Sequence, residues 1–313
     1  MKLLGHMDKC GFDHSFILLY NCKKETGDDV MEKLCDLHTH STYSDGTCTP
    51  AELIDLAEGA GLSAIALTDH NTIAGLPDFL AAAKGREVEA VPGIEFSTEY
   101  QGRELHILGL FIRPEHYESI TEILDQMLRE KEHSNRNLVK SLNQIGLKLD
   151  YDEIKTATPA GQVNRAVIGA EIARLGYAES VKDAFEKYLS LKCGFYYPPR
   201  RPDAFAVIRF IKSLGAVAVL AHPFLNLKQE EDLRQFLSQA VSAGLDGMET
   251  IYPLFDENTT HLAKRIADDY GLLHSGGSDF HGRNKPDITI GTGKGNLRIP
   301  CGLMDELKRK KLP

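Results

Sequence analysis

Short apolar runs alternate with amphipathic segments along most of this chain. The runs fall at residues 34–37, 63–67, 88–91, 104–110, 216–220, 247–251 and 272–275. They lack the polar alternation of a half-exposed strand, which predicts strands buried on both faces. Helical periodicity separates most of them, at 50–57, 76–84, 202–214, 229–243 and 257–270. Strands and helices in this order predict a parallel sheet built from about seven βα units.

The first predicted helix has a clear beginning. Thr49 stands where an N-cap is expected, Pro50 takes the first helical position, and Glu52 follows three residues after the cap. This order is typical of a capping box.

The alternation of strands and helices stops after Pro114 and resumes near Pro202. Between them only helical periodicity is present, at 117–145, 163–175 and 180–190. A helical insertion within one α/β barrel explains this better than two domains in series. We predict a barrel over 34–115 and 200–300, a helical insertion or lid at 116–199, an N-terminal extension of unassigned role at 1–33, and a C-terminal tail at 301–313.

Polar residues with metal-binding chemistry follow the predicted strands. In a parallel α/β barrel the strand ends converge on one mouth, where active sites form. Many imidazoles and carboxylates in one cavity are costly without bound cations. Nine ligands exceed what one ion uses and suit two or three. The nine are His38, His40, Asp45, His70, Glu95, His106, His222, Asp279 and His281.

Composition and charge exclude some functions. The 313-residue chain carries a net charge of −9, which gives no electrostatic basis for binding duplex DNA or an anionic membrane. The apolar stretch at 15–20 is too short to span a bilayer. Six scattered cysteines without CxxC spacing argue against a disulfide framework. We therefore expect a soluble, cytoplasmic protein.

Over residues 34 to about 300, these motifs resemble those of the PHP (polymerase and histidinol phosphatase) superfamily of metal-dependent phosphoesterases. The phrases that carry the resemblance include His38-x-His40, Thr68-Asp69-His70 and Gly277-Ser278-Asp279-Phe280-His281. The most similar branch acts on 3′,5′-nucleotide bisphosphates or on RNA 5′ ends. The resemblance implies a distorted, TIM-like (β/α)7 barrel that holds three divalent ions. Mn²⁺ is the expected metal, and Fe²⁺ and Zn²⁺ are the alternatives.

The resemblance also implies which residues hold each ion. One ion would be held by His38, His40, Glu95 and Asp279. A second would be held by Glu95, His106 and His222, so that Glu95 bridges. The third would be held by Asp45, His70 and His281.

This arrangement implies hydrolysis without a covalent enzyme intermediate. A hydroxide held between two ions would attack phosphorus in line with the leaving oxygen. Asp45 or His222 is the residue we expect to assist proton transfer to the leaving alkoxide.

Arginines in the predicted insertion are candidates for substrate binding. Arg136 and Arg165 match positions where relatives carry phosphate-directed arginines, and a guanidinium suits a second phosphate. The sequence departs from its relatives at 165–170, where an Arg-x-His-x-x-Arg pattern has lost its His and its second Arg. Arg283 and Lys285, close to His281, have two interpretations: phosphate contact or a solvated loop.

The sequence predicts a metal-dependent phosphoesterase that hydrolyses a phosphate monoester or diester of a nucleotide. The expected substrate is a 3′,5′-nucleoside bisphosphate or a short 5′-phosphorylated oligoribonucleotide. One alternative is a histidinol-phosphate-type or other small-molecule phosphatase. Another, of a different class, is a non-catalytic metal-binding module. We expect neither a membrane nor duplex DNA as a partner.

Overall fold

The computed structural model describes residues 32–158 and 163–311. Within these residues, seven strands form one sheet whose spatial order follows the chain. They are β1 (Cys35–Asp36), β2 (Ala64–Leu67), β3 (Glu89–Tyr100), β4 (Arg103–Leu110), β5 (Val217–Leu220), β6 (Gly247–Ile251) and β7 (Leu273–Gly276).

Helices connect most of these strands, and a group of helices follows β4. The helices of the described residues are α1 (Pro50–Gly59), α2 (Leu76–Ala82), α3 (Tyr117–Gln144), α4 (Tyr151–Ala157), α5 (Arg165–Arg174), α6 (Val181–Ala184), α7 (Ala204–Ser213), α8 (Pro223–Asn226), α9 (Glu230–Ala243), α10 (Glu257–Asp269) and α11 (Cys301–Arg309). The capping box predicted for α1 is confirmed. The Thr49 side chain accepts a hydrogen bond from the Glu52 N–H, and the Glu52 side chain accepts one from the Thr49 N–H.

The sheet nearly closes into a barrel where the first and last strands meet. The Leu37 N–H donates to the Gly276 carbonyl at 3.2 Å, and the Asp279 N–H donates to the His38 carbonyl at 2.8 Å. A bridge between Thr39 and Phe280 continues this contact in parallel sense. The predicted seven-stranded α/β barrel is therefore confirmed, and its closure brings the two ends of the barrel sequence together.

The predicted direction of the fourth strand is wrong. β4 runs antiparallel to both β3 and β5, whereas the other neighbouring strands are parallel. The reason lies in the two-residue turn, where Gln101 and Gly102 both have positive φ, at 50° and 75°. Such a turn matches the twist of an antiparallel hairpin, so no helix separates β3 from β4.

Two predicted site residues consequently lie inside strands rather than beyond their ends. β3 runs on well past the predicted 88–91, so Glu95 stands in its middle, and His106 is the fourth residue of β4. His106 pairs with Ser97, two positions from Glu95. Since side chains alternate along a strand, Glu95 and His106 share one face of the hairpin as diagonal neighbours.

The chain divides into two compact units. One comprises the described residues up to Thr121 and from Pro202 onward, and the other spans Glu122–Arg201. The strands of the first unit bury an aliphatic core that includes Val91, Leu108 and Val219.

The second unit has its own core of side chains from its helices, including Leu142, Ile168 and Ile172. It also contains α4, which the periodicity did not predict. The predicted helix at 180–190 is α6 followed by a π-helical turn over Phe185–Leu189.

Most of the predicted C-terminal tail is a helix that packs against the barrel. Residues Cys301–Arg309 form α11, whose Cys301, Met304 and Leu307 are buried in the core of the first unit. The spacing of these three residues places them on one helix face, a pattern that the nearby cluster of basic residues obscures.

Most of the predicted N-terminal extension, residues 1–33, lies outside the described residues. Among the helices that the structure describes, none combines the length and apolar character needed to cross a membrane.

The close approach of β7 to β1 generates a stability prediction. A Cβ placed on Gly277 would lie 2.2 Å from the His38 Cβ and 2.7 Å from its backbone nitrogen. We expect Gly277→Ala to lower the free energy of unfolding by roughly 2 kcal/mol or more, because buried backbone must shift. Gly302→Ala in α11 is the matched control, since nothing lies within 4 Å of its Cβ position. Equal midpoints for the two variants in urea unfolding would contradict this account of closure.

Candidate metal centre

The structure brings all nine predicted ligands together at one end of the barrel. They form four overlapping groups whose ligand atoms lie within 4.8 Å of one another. The groups are His40, Asp45, His70 and His281; His38, Glu95 and His222; His38, His40 and Asp279; and His70, Glu95 and His106.

The Glu95 carboxylate lies at the centre of these groups and is fully buried. Its Oε1 atom is 2.8 Å from His106 Nδ1 and 3.0 Å from His222 Nε2. These two imidazoles come from β4 and from the end of β5. One carboxylate oxygen therefore contacts one residue that precedes the helical insertion in the sequence and one that follows it.

The second oxygen of Glu95 has the features of a metal ligand. Oε2 lies 2.9 Å from His70 Nδ1, 3.2 Å from His38 Nε2 and 3.3 Å from His40 Nε2. None of these contacts has hydrogen-bond geometry, and Oε2 is a buried oxygen without a hydrogen-bond partner. A buried carboxylate oxygen surrounded by nitrogens that do not donate to it fits a cation bound between them.

Two aspartates complete the other groups. Asp45 Oδ1 lies 3.2 Å from His281 Nε2 and 3.9 Å from both His40 Nδ1 and His70 Nε2. The Asp279 Oδ1 atom lies 3.2 Å from His40 Nε2. His40 thus stands between the two aspartates, with a different ring nitrogen facing each.

The pKa values of these groups show how strongly the cavity favours positive charge. Burial lowers the pKa of His38, but the carboxylates of Glu95, Glu249 and Asp279 outweigh it and hold that pKa well above its ordinary value. Burial also lowers the pKa of His106, but the carboxylates of Glu95 and Glu104 outweigh this effect and raise that pKa to about 10. Either protons or metal ions can supply this charge, and ion binding would displace the protons.

The pKa values of the carboxyl groups shift in the complementary direction. Burial would raise the pKa of Glu95, yet the nearby imidazoles of His70, His38 and His106 hold it well below its ordinary range. The pKa of Asp45 is also lowered, against the effect of burial, by His281 and His70. Both carboxylates are therefore ionised and available as ligands.

Glu249 is a buried residue of this site that sequence reasoning missed. Its Oε1 atom accepts from His38 Nδ1 at 2.9 Å, and its Oε2 accepts from the His222 backbone N–H at 2.6 Å. Because a carboxylate only accepts, Nδ1 of His38 carries a proton, which leaves Nε2 as the nitrogen that would bind a metal once its own proton is displaced. The signal in the sequence was a single acid within the short run that forms β6.

Two of the predicted ligands have an unusual backbone conformation. His222 has φ 27° and Asp279 has φ 55°, values that side-chain-bearing residues rarely adopt. Proline follows His222, which restricts its backbone further. The hydrogen bond from the His222 N–H to Glu249 holds this conformation in place.

Two further aspartates, Asp36 and Asp69, hold the loops that carry the ligands. Asp36 is buried and accepts from the backbone N–H groups of Ser278 at 2.9 Å and Gly291 at 2.8 Å. Asp69 accepts from the Ser41 hydroxyl and the Ser44 hydroxyl, both at 2.6 Å. Both acids precede predicted ligands in sequence, but only the fold shows that they bind backbone and hydroxyl groups.

The predicted substrate-binding arginines are engaged within the second unit. Arg136 pairs with Glu132 at 2.9 Å and with Asp152 at 2.7 Å. The Arg165 guanidinium lies 4.2 Å from the centroid of the Tyr196 ring and donates to the Leu189 carbonyl. Their role toward a substrate stays a prediction.

The contact between Glu249 and His38 generates a prediction about metal affinity. In Glu249→Gln, the amide cannot accept from both His38 Nδ1 and the His222 N–H, so the orientation or tautomer of one ligand is lost. We expect the affinity for Mn²⁺ to fall about 10- to 100-fold, measured by competition with a chelator. Glu257→Gln, at the exposed start of α10, is the matched control. Unchanged affinity in folded Glu249→Gln protein would contradict the role given to this residue.

The chain is similar to several known proteins. Residues 36–196 match the family model of the PHP domain. A 5′-3′ exoribonuclease of Haemophilus influenzae is 32% identical over 251 residues, which are 80% of this chain and 91% of that protein. A 3′,5′-nucleoside bisphosphate phosphatase of Chromobacterium violaceum is 27% identical over 257 residues, 82% of this chain and 90% of that protein.

A solved structure has a similar fold. It is that of an amidohydrolase from Chromobacterium violaceum with bound sulfate and no metal, with a TM-score of 0.71 and 26% identity over 89% of this chain and 97% of that one. Together with the matched domain, these relatives confirm the resemblance read from the sequence. The chain belongs to the PHP domain family.

Proposed function

We propose that this protein is a metal-dependent phosphoesterase that hydrolyses a phosphate monoester or diester of a nucleotide. The observation that carries the proposal is the buried Glu95 carboxylate, whose Oε2 atom lies among three imidazole nitrogens without a hydrogen bond. The names of the relatives, an exoribonuclease and a nucleoside bisphosphate phosphatase, support a nucleotide substrate. A 3′,5′-nucleoside bisphosphate or a short 5′-phosphorylated oligoribonucleotide fits both.

We propose three divalent ions, with Mn²⁺ as first choice and Fe²⁺ or Zn²⁺ as alternatives. The four overlapping groups support more than one ion, because nine ligands exceed the coordination needs of a single ion. When bound, such ions lower the pKa of water and offset the charge of the phosphoryl oxygens. The proposed ligand sets are those implied by the family resemblance, with Glu95 shared between two of them.

Asp45 and His222 remain the proposed proton-transfer residues, and they differ in how exposed they are. The Asp45 side chain is 55% exposed at the cavity, where an ionised carboxylate can orient water. His222 is buried, and its Nδ1 atom has no hydrogen-bond partner among the described residues. An imidazole nitrogen of this kind can hold or release a proton close to Glu95.

Two finer statements belong with this proposal. Arg136 and Arg165 are proposed to contact substrate, which requires Arg136 to exchange its carboxylate partners for phosphate. A cytoplasmic location is proposed from the cysteines, since Cys35, Cys193 and Cys301 form no disulfide among the described residues.

The proposal predicts metal-dependent phosphate release. With Mn²⁺, we expect the protein to hydrolyse a nucleoside 3′,5′-bisphosphate or a short 5′-phosphorylated RNA in preference to AMP and histidinol phosphate. His40→Ala and Glu95→Gln should each reduce kcat/KM by about 1000-fold, because the lost charge stabilisation is worth several kcal/mol and each 1.4 kcal/mol is tenfold. Removal of metal by a chelator should have a similar effect.

The matched control is His261→Ala, which removes an exposed histidine of α10. Its activity should equal that of the unmodified protein. Full activity of folded Glu95→Gln protein would overturn the proposal. Metal-loaded protein that hydrolyses no ester of the panel would favour a non-catalytic module, and a preference for histidinol phosphate would favour the small-molecule alternative.

A further inference from the structure

A cleft opens directly beside the candidate metal centre, in the first unit. Its volume is about 250 Å³, and its walls are residues 252–254, which follow β6, and residues 285–288, which follow β7. Ser278 and Asp279 lie at one end, and Lys294 contributes a further wall. All of its lining residues belong to loops at the end of the barrel where the predicted ligands lie.

Asp279 connects the cleft to the centre through its two oxygens. Oδ1 faces the imidazoles, 3.2 Å from His40 Nε2. Oδ2 faces the cleft, where it accepts from the Tyr252 hydroxyl at 2.7 Å and from Lys285 Nζ at 2.6 Å. A ligand with one phosphate at the metal centre would therefore have this cleft directly beside it.

Two lysines supply the positively charged groups of the cleft, whose lining also contains two acids. Lys285 is 39% exposed, and its ammonium has three donors, of which the bond to Asp279 uses one. Lys294 is exposed and forms no ion pair with any residue that the structure describes. Asp287 is the one acid of the lining besides Asp279. These ammonium groups suit an anion that binds next to the centre rather than within it.

The remaining walls are apolar. Tyr252 and Pro253 are buried, whereas Leu254 is 54% exposed at the cleft. Pro286 and Ile288 also line the cleft. Apolar walls with a few charged groups are typical of small-molecule sites.

The two candidate arginines of the second unit differ from Lys294 because they already have partners. Arg136 has two carboxylate partners, Glu132 and Asp152, and Arg165 lies against aromatic rings. Both cations therefore already have partners inside their own unit. Lys294 has no such ion-pair partner in the described chain, so binding an anion there costs no internal ion pair.

We propose that this cleft binds the nucleoside and second phosphate of the substrate, with Lys294 and Lys285 contacting that phosphate and Leu254 the nucleoside. The inference rests on the proposed function, because it assumes that the phosphate that is hydrolysed binds at the metal centre. It assigns recognition of the non-reacting phosphate to the barrel itself and is therefore an alternative to the contact of that phosphate with Arg136 and Arg165.

Binding of AMP and adenosine by metal-loaded protein tests this inference without relying on catalysis. AMP represents a nucleoside that retains one phosphate after hydrolysis, and adenosine lacks it. We expect calorimetry to show at least tenfold weaker AMP binding by Lys294→Glu, with the affinity for adenosine changed much less. Leu254→Ala should weaken the binding of both ligands by similar factors. Lys84→Glu, an exposed lysine distant in sequence from the cleft residues, is the charge-matched control and should bind both normally.

The outcomes separate this inference from the proposed function. Equal AMP affinity in the unmodified protein and in Lys294→Glu would overturn the cleft assignment, even if both proteins hydrolyse nucleotide esters. Lys294-dependent AMP binding by a protein that hydrolyses no phosphate ester would support the cleft and overturn the proposed function. A bisphosphate preference in hydrolysis that Lys294→Glu abolishes would support both.

Discussion

The buried charge of Glu95 is the constraint on which the rest of the site depends. A carboxylate without solvent exposure must be compensated by cations or donors, since an isolated buried charge costs many kcal/mol. Here the compensation comes from five imidazoles supplied by β4 and by segments after β1, β2 and β5. The sheet must therefore bend into a near-closed barrel, because a flat sheet would hold these segments too far apart.

Much of the fold could be predicted because burial leaves a direct mark on sequence. All seven apolar runs are strands of the sheet, and the capping box of α1 lies where its residue types indicate. Strand direction leaves no such mark, since a doubly buried strand has the same apolar run in either sense. The direction of β4 was encoded instead in Gln101-Gly102, a short turn that the apolar pattern does not register. α11 was missed because its charged face dominates its composition.

The site was predictable to the extent that its chemistry is carried by residue type. Histidines and acids near strand ends could be read as candidate ligands one by one, and the structure gathers all nine. The roles of Glu249, Tyr252 and Lys285 depend on which neighbour they meet across strands, as in the contact of Glu249 with His38. Such pairings are properties of the closed barrel and have no local signal beyond an acid in an apolar strand.

The closure of β1 against the segment after β7 also has a consequence for how the protein is made. His38 and His40 are synthesised more than 230 residues before Asp279 and His281. The groups that combine them can form only after the ribosome has passed the last strand. Ion capture by the complete site must therefore follow synthesis of the segment after β7, and until then water and protons can satisfy the earlier histidines and Glu95.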